Sequence, residues 1–308
     1  MVYKNIYFIK RADIDDVPSI KMLFWKVFRK KVTKKYLEKK YNTSHLGIDY
    51  ICTIAYFNSK AVAFYGALPQ SFICRGQELK VAHAGDSITL PEHQRKGLHF
   101  QLAKEAYKVM QENDIKFVYA FHSKKTYLST KKLGWKKHKR MLRFHIKTHS
   151  LPIAKLVNKF DFNNVYDIFC NEKLSEDAYL KLRLIGQDKF CQAITHDYIN
   201  YKNSFNNHYC LEIDDCVFWV KIQAVLHVGF FYAPSEIAFD TAIKKLKRKA
   251  FYLGVDELLF QVDSDSMMAQ QLRSVAEPKD SWLVGYLDFQ QDINLNNFIF
   301  SYSDLDTF

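Results

Sequence analysis

The chain has 308 residues, 48% of them apolar and 16% aromatic, with only six Pro and ten Gly. That length permits two ordinary domains, and that composition excludes a disordered or low-complexity protein. The net charge of +12 is uneven: residues 1–150 carry 30 Lys+Arg against 11 Asp+Glu, whereas residues 151–308 carry 15 against 22. A basic half beside an acidic half points to two units with different tasks, the first of which should attract an anionic ligand. No run approaches the ~20 apolar residues of a membrane span. The start lacks a signal-peptide core, so a cytoplasmic protein is expected. The six cysteines form no CxxC pair, which predicts buried thiols rather than a zinc site or a disulfide framework.

Residues 6–12 read as a strand, and Asp13, Asp15 and Asp16 then open a helix with Val17, Ile20, Leu23, Phe24, Val27 and Phe28 at helical spacing. A very basic helical stretch follows to Tyr41. Residues 50–57, 60–74 and 78–90 read as three strands, joined by turns at Asn58-Ser59 and Arg75-Gly76. Residues 97–112 return to helical period. Residues 115–121 are an apolar run suited to a buried strand. Residues 124–133 are a short helix stopped by Gly134. From Trp135 onward the alternation predicts a closing strand pair.

The boundary between domains is placed near Ser150-Leu151-Pro152, giving units 1–150 and 151–308. Helices are expected over 175–185 and 195–202. From Tyr209 the order strand, strand, strand, helix, strand, helix, strand repeats that of the first half.

The informative segment is 84–102. A strand runs to Pro91, and Gln94-Arg95-Lys96-Gly97-Leu98-His99 leads into an amphipathic helix. The first amides of a helix lack internal partners and its dipole is positive there. Two cations and a glycine in the entering loop make a seat for a pyrophosphate. The segment resembles the Q/R-x-x-G-x-G/A motif of the GNAT superfamily of N-acetyltransferases. Gln94, Arg95, Lys96 and Gly97 match, Leu98 takes the variable position, and His99 departs from the usual Gly or Ala. Lys132-Leu133-Gly134-Trp135 resembles that family's Tyr-x-x-x-Gly-Phe ending. The resemblance covers residues 5–148.

It implies an α/β (α+β) acyl-CoA N-acyltransferase fold, a mixed and mostly antiparallel sheet flanked by helices, in two tandem GNAT-like domains. Acetyl-CoA is the implied co-substrate, with no metal. The main chain of Ile88, Thr89 and Leu90 would pair with the pantetheine arm, and Arg95 to His99 would cradle the pyrophosphate. Ser123 falls where the family often has a cofactor-contacting Asn. The thioester would lie near Asp86 and Ser87.

The family's usual tyrosine acid is replaced by Thr130, which leaves Tyr127, one turn earlier, as the candidate acid. His83 and Asp86 are both candidate bases. His93, His99 and His122 have no metal-ligand spacing. The tail, ending in Asp304-Leu305-Asp306-Thr307-Phe308, is similar to that of the enhanced-intracellular-survival acetyltransferases, whose terminal carboxylate enters the catalytic cleft. The Phe308 carboxylate, or Asp306, is therefore a candidate to dock at the first half's site.

The corresponding loop of the second half, Tyr232-Ala233-Pro234-Ser235, has no Gly, Arg or Lys, so a degenerate second unit is expected. Residues 195–205 could line the cleft. The leading reading is acetyl transfer to an amine of a small or sugar-like acceptor, with no nucleic acid and no membrane partner. Two alternatives stay open. One is a non-catalytic module that binds CoA or an anion. The other is an aminoacyl-tRNA-dependent peptidyltransferase-like enzyme, against which the intact pyrophosphate loop argues.

Overall fold

The first hairpin turn, Asn58-Ser59, has φ of +47° and +61° at its two residues. That conformation matches the twist of paired strands and fixes their register. It joins β2 (Cys52–Phe57) to β3 (Lys60–Cys74), and β1 (Phe8–Arg11) pairs antiparallel on the other side of β2. Between β1 and β2 come α1 (Val17–Phe28) and α2 (Lys34–Tyr41). β4 (Gln77–Thr89) pairs with β3 and leads to α3 (Leu98–Glu112), β5 (Phe117–His122), α4 (Lys124–Lys131) and β6 (Lys136–Lys147).

The second half holds α5 (Ile153–Lys159), α6 (Asp167–Cys170), α7 (Glu176–Arg183), the short β7 (Cys191–Gln192) and α8 (His196–Asn203). It then runs β8 (His208–Ile213), β9 (Cys216–Ile222), β10 (Leu226–Tyr232), α9 (Glu236–Tyr252), β11 (Glu257–Asp263), α10 (Met267–Leu272) and β12 (Lys279–Asp288). This is a computed structural model, and it describes residues 6–306 except 161, 171–174, 184–187, 206 and 292.

One sheet crosses both halves in the order β1-β2-β3-β4-β5-β12-β6-β11-β10-β9-β8, with β7 pairing onto β3. Only β4–β5 and β10–β11 are parallel among the β1–β12 pairs described. The centre is an exchange. β12, from the second half, lies between β5 and β6, while β6, from the first, lies between β12 and β11. The segment near residue 150 connects β6 to α5, and the sheet runs across it.

The predicted strand pair after Trp135 is instead the single strand β6. Residues 136–147 hold no Gly, Pro, Asn or Asp to turn on, so the closing partner comes from far along the chain.

Each half buries its own apolar cluster. One packs α1 and α3 onto β2–β4 around Ile20, Phe64 and Leu102. The other packs α9 onto β8–β11 around Trp219, Phe239 and Phe260. A third cluster spans the exchange: Phe72, Phe117, Tyr119, Val284, Phe298 and Phe300. Among the described residues, no helix is long and apolar enough to cross a membrane.

Candidate active site

Strand β4 is interrupted where the site begins. Tyr65 pairs with Ser87 and Ala67 with Ala84, so Gly85 and Asp86 together oppose Gly66. This bulge re-aims the strand, as bulges beside functional sites do. The parallel pairing of β4 with β5 is confined to Ala82–Val118 and His83–Tyr119. Beyond it the two strands run on as Ala84 to Thr89 and Ala120 to His122 without pairing each other. The Leu90 amide donates to Val62 O on β3 (2.9 Å). Alternation then turns the main-chain groups of Ser87 and Thr89 into the gap, while those of Ile88 face β3. The expectation that Ile88 and Leu90 offer free main-chain groups is thereby corrected. Gln94 Nε2 donates to Thr89 O (3.3 Å) across the mouth.

The gap opens onto the start of α3. Gly97 is its N-cap, with φ +75°, and Arg95 before it has φ +60°. No side chain caps this helix, although Ser123, Thr195, Ser235 and Ser266 cap α4, α8, α9 and α10. The first-turn amides of Leu98 and His99 thus meet no side-chain acceptor, and Gln94, Arg95 and Lys96 beside them are exposed. Two cations and uncapped amides are the donor set a pyrophosphate needs. Leu98 contributes only its amide, because its side chain is in the core. His99 turns its ring back, Nδ1 lying 2.8 Å from Ser87 Oγ, and burial lowers its pKa. Ser123 Oγ is engaged as the α4 cap, accepting from Thr126 N (3.2 Å).

On the other wall sits a charged cluster that sequence reasoning found only in part. Lys40 Nζ, on the last turn of α2, lies 2.6 Å from Asp86 Oδ2 and 2.6 Å from Asp306 Oδ2. Tyr41 donates to the same Asp86 oxygen (2.6 Å). The side chains are nearly sealed from water, 2% exposed for Lys40, 14% for Asp86 and 8% for Asp306. Burial works against the ammonium, but the Asp306 and Asp86 carboxylates override it and raise the Lys40 pKa well above the ordinary lysine value. Burial likewise pushes the Asp306 pKa up, yet Lys40, with His83 near, holds it well below the usual carboxylate range. Two glycines make the room. A Cβ on Gly66 would meet Tyr41 Oη at 3.0 Å, and one on Gly85 would meet Asp306 Oδ2 at 2.6 Å. Asp306 is thus docked at the bulge, whereas Phe308 lies outside the described residues.

His83 borders this cluster, packed against the rings of Tyr119 and Phe121. Among the described residues, neither ring nitrogen meets a protein partner. Burial, offset in part by Asp306, lowers its pKa to about 4, so it is neutral near pH 7. Tyr127 departs from expectation. Its hydroxyl donates to Trp135 O (3.1 Å) and it packs within the fold, so its proton is committed to a main-chain carbonyl. His93 pairs with Tyr7, Nδ1 to Oη 3.0 Å, and no cluster of metal-ligating groups occurs among the described residues. The predicted cleft helix, α8, grips both halves: Tyr201 donates to Lys40 O (2.7 Å) and Lys202 to Ser303 O (2.8 Å).

The family model described as "Acetyltransferase (GNAT) domain" matches residues 8–137. These residues belong to the GNAT family. Among solved structures, a Pyrococcus horikoshii protein described as an acetyltransferase superposes with a TM-score of 0.59 at 14% identity, covering 99% of this chain and 96% of that one. A GCN5-related N-acetyltransferase from Kribbella flavida gives 0.60 at 7% identity, over 91% and 70%. Saccharomyces cerevisiae N-myristoyltransferase with bound myristoyl-CoA gives 0.58 at 13%, over 94% and 80%. At such identities the likeness is one of fold, and it extends through both halves. No curated protein matches the chain in sequence.

Proposed function

We propose that this GNAT protein is a cytoplasmic N-acyltransferase, moving an acetyl group from acetyl-CoA to the amine of a small or sugar-like acceptor. The observation that carries the reading is the unpaired stretch of β4 and β5 beyond His83–Tyr119, open to an uncapped helix start at one end and a buried carboxylate cluster at the other. Main-chain groups of Ser87 and Thr89 would pair with the pantetheine arm. Gln94 to His99 would hold the pyrophosphate through amides and two cations. Acyl-CoA supplies an activated thioester.

The protein's own groups do the rest. The carboxylates of Asp86 and Asp306 share the Lys40 ammonium, with Lys202 also near Asp306, and would offer acceptor oxygens to an incoming amine. His83, neutral near pH 7, would take the proton the amine must lose, and the neighbouring Asp306 carboxylate would stabilise the imidazolium formed. The amine lone pair then forms a bond to the acyl carbon as the C–S bond breaks, and the electron pair leaves with sulfur.

A binding module without turnover is the second reading, favoured by the committed hydroxyl of Tyr127. Thermal shift with acetyl-CoA, CoA and tRNA, then thiol release with glucosamine and spermidine as probe amines, separates them. A CoA-dependent shift with thiol release supports the enzyme, and a shift without release supports the module. No CoA shift, or a shift with tRNA alone, defeats both. Arg95→Glu with Gly97→Asp should abolish the CoA shift.

A further inference from the structure

The second half repeats the gap of the first. β10 carries an extra residue, Gly229, and pairs with β11 only from Leu226 to Val228. Past this bulge the two strands part. The filling is the chain's own end. Ser301 bridges to Val262, and the Asp263 amide donates to Phe300 O (3.1 Å). The Asp263 carboxylate accepts the Phe300 amide (3.3 Å), and Tyr302 Oη lies 2.9 Å from His227 Nδ1. The helix start beside this gap is closed by Ser235, which accepts from Ala238 N (3.2 Å).

From there the tail crosses into the first half. Gln70 donates to Asp304 O (2.9 Å), and Lys202 donates to Leu305 O (3.1 Å) as well as Ser303 O. Asp306 then comes to rest against Gly85 and Lys40. Main-chain edges buried without partners are costly, so a splayed strand pair needs an occupant. In the first half a ligand can supply it; in the second the tail does so permanently.

We propose that residues 298–306 are the built-in occupant of the second gap, and that Asp306 is a positioning residue for acyl transfer in the first, fixing the Lys40 ammonium against Asp86. This rests on the reading of the first half as an acyltransferase site. Without the Asp306 carboxylate, Lys40 keeps one anionic partner of two and loses its fixed position. Asp86, which takes both Lys40 and Tyr41 on Oδ2, keeps the Tyr41 hydroxyl but loses a fixed ammonium.

The test uses the full chain. Calorimetric titration with CoA should show one equivalent per chain; two equivalents would show the second gap open and overturn the occupant. Thiol release from acetyl-CoA, with water or a probe amine as acceptor, then reads the positioning role. Asp306→Asn should lower kcat at least tenfold while the KM for acetyl-CoA and the CoA thermal shift stay within twofold. Gly85→Ala should lower kcat comparably, because its methyl would strike the carboxylate. In an Asp306→Ala background it should add less than a twofold loss. Undiminished kcat in Asp306→Asn, or equal losses for Gly85→Ala in both backgrounds, overturns the proposal. A wild-type chain that releases no thiol defeats the acyltransferase reading instead, and the positioning role with it. Tail docking is then still decided by the same double-mutant cycle read as melting temperature.

Discussion

His99 and Ser87 are joined across the mouth of the first gap, imidazole Nδ1 to hydroxyl at 2.8 Å. The contact explains how a histidine stands where GNAT loops usually carry Gly or Ala. The ring folds back onto β4, clear of the helix axis, and leaves the amide of its own residue uncovered.

The proposed seat for phosphate would then be main chain, and His99→Ala should bind CoA within threefold of the wild type. The lost hydrogen bond, ~1 kcal/mol, is offset in part by the better helix propensity of Ala. Calorimetry and urea melts check both statements. A tenfold loss of affinity would mean that the ring itself holds the phosphates.

Gly97 is required by conformation rather than by space. Its φ is +75°, and an added Cβ would meet only Gln101 Nε2, at 3.9 Å. Gly97→Ala should cost about 1–2 kcal/mol, the penalty of a left-handed backbone. Gly97→Asn should cost less, because Asn tolerates that region. Equal stabilities for Ala and Gly in denaturant melts would contradict this account.

Lys40→Met should destabilise by about 3–5 kcal/mol at pH 7, because it strands two carboxylates inside the fold. The pH dependence has a definite sign. In the wild type the Asp306 pKa is depressed on folding. Its stabilisation is thus full above the ordinary carboxylate range and lost only as pH falls through the depressed value. In the variant, burial and the facing carboxylate raise that pKa instead, so protonation relieves the repulsion. The stability gap between the two proteins should narrow from pH 7 to pH 4. A constant gap would refute the buried ion cluster.

His83 offers a trade of stability against activity. It faces Asp306, Lys40, Lys202 and His122 among ionisable groups and Tyr119 and Phe121 among rings. Its folded pKa, about 4, lies below the unfolded value of 6.5. The unfolded chain therefore binds its proton first. Stability is full above pH 6.5 and falls as pH drops toward 4, by at most about 3 kcal/mol from this group. His83→Phe removes two buried nitrogens that lack partners among the described residues. It should melt higher than the wild type at pH 7, show a flatter decline from pH 6.5 to 4.5, and release thiol at least tenfold more slowly. Unchanged turnover would remove His83 from the mechanism.

Much of the fold can be read along the chain. The Asn58-Ser59 turn, the stop at Gly134 and the Ser235 and Ser266 caps act within a few residues of themselves, so their elements fall where turn and capping chemistry put them. The loop from Gln94 to Gly97 belongs to this class, since cations, glycine and helix start are contiguous. Spacing places Tyr127 on a helix face but does not say what its hydroxyl meets, here Trp135 O. Lys40 ends the run of basic residues on the second helix. Nothing local distinguishes it from Lys39, its exposed-looking neighbour, because burial is decided by what packs above it.

The sequence by itself determined the order of elements, the repeat of that order and the glycine turn proposed to seat phosphate, since each arises from periodicity and backbone preferences over short stretches. Tertiary structure alone decided the exchange of β6 and β12 and the joining of Lys40 to Asp86 and Asp306, partners 46 and 266 positions away. Such pairings depend on how strands from both halves share one sheet and on which groups are left together without water, and neither quantity is carried by any single segment.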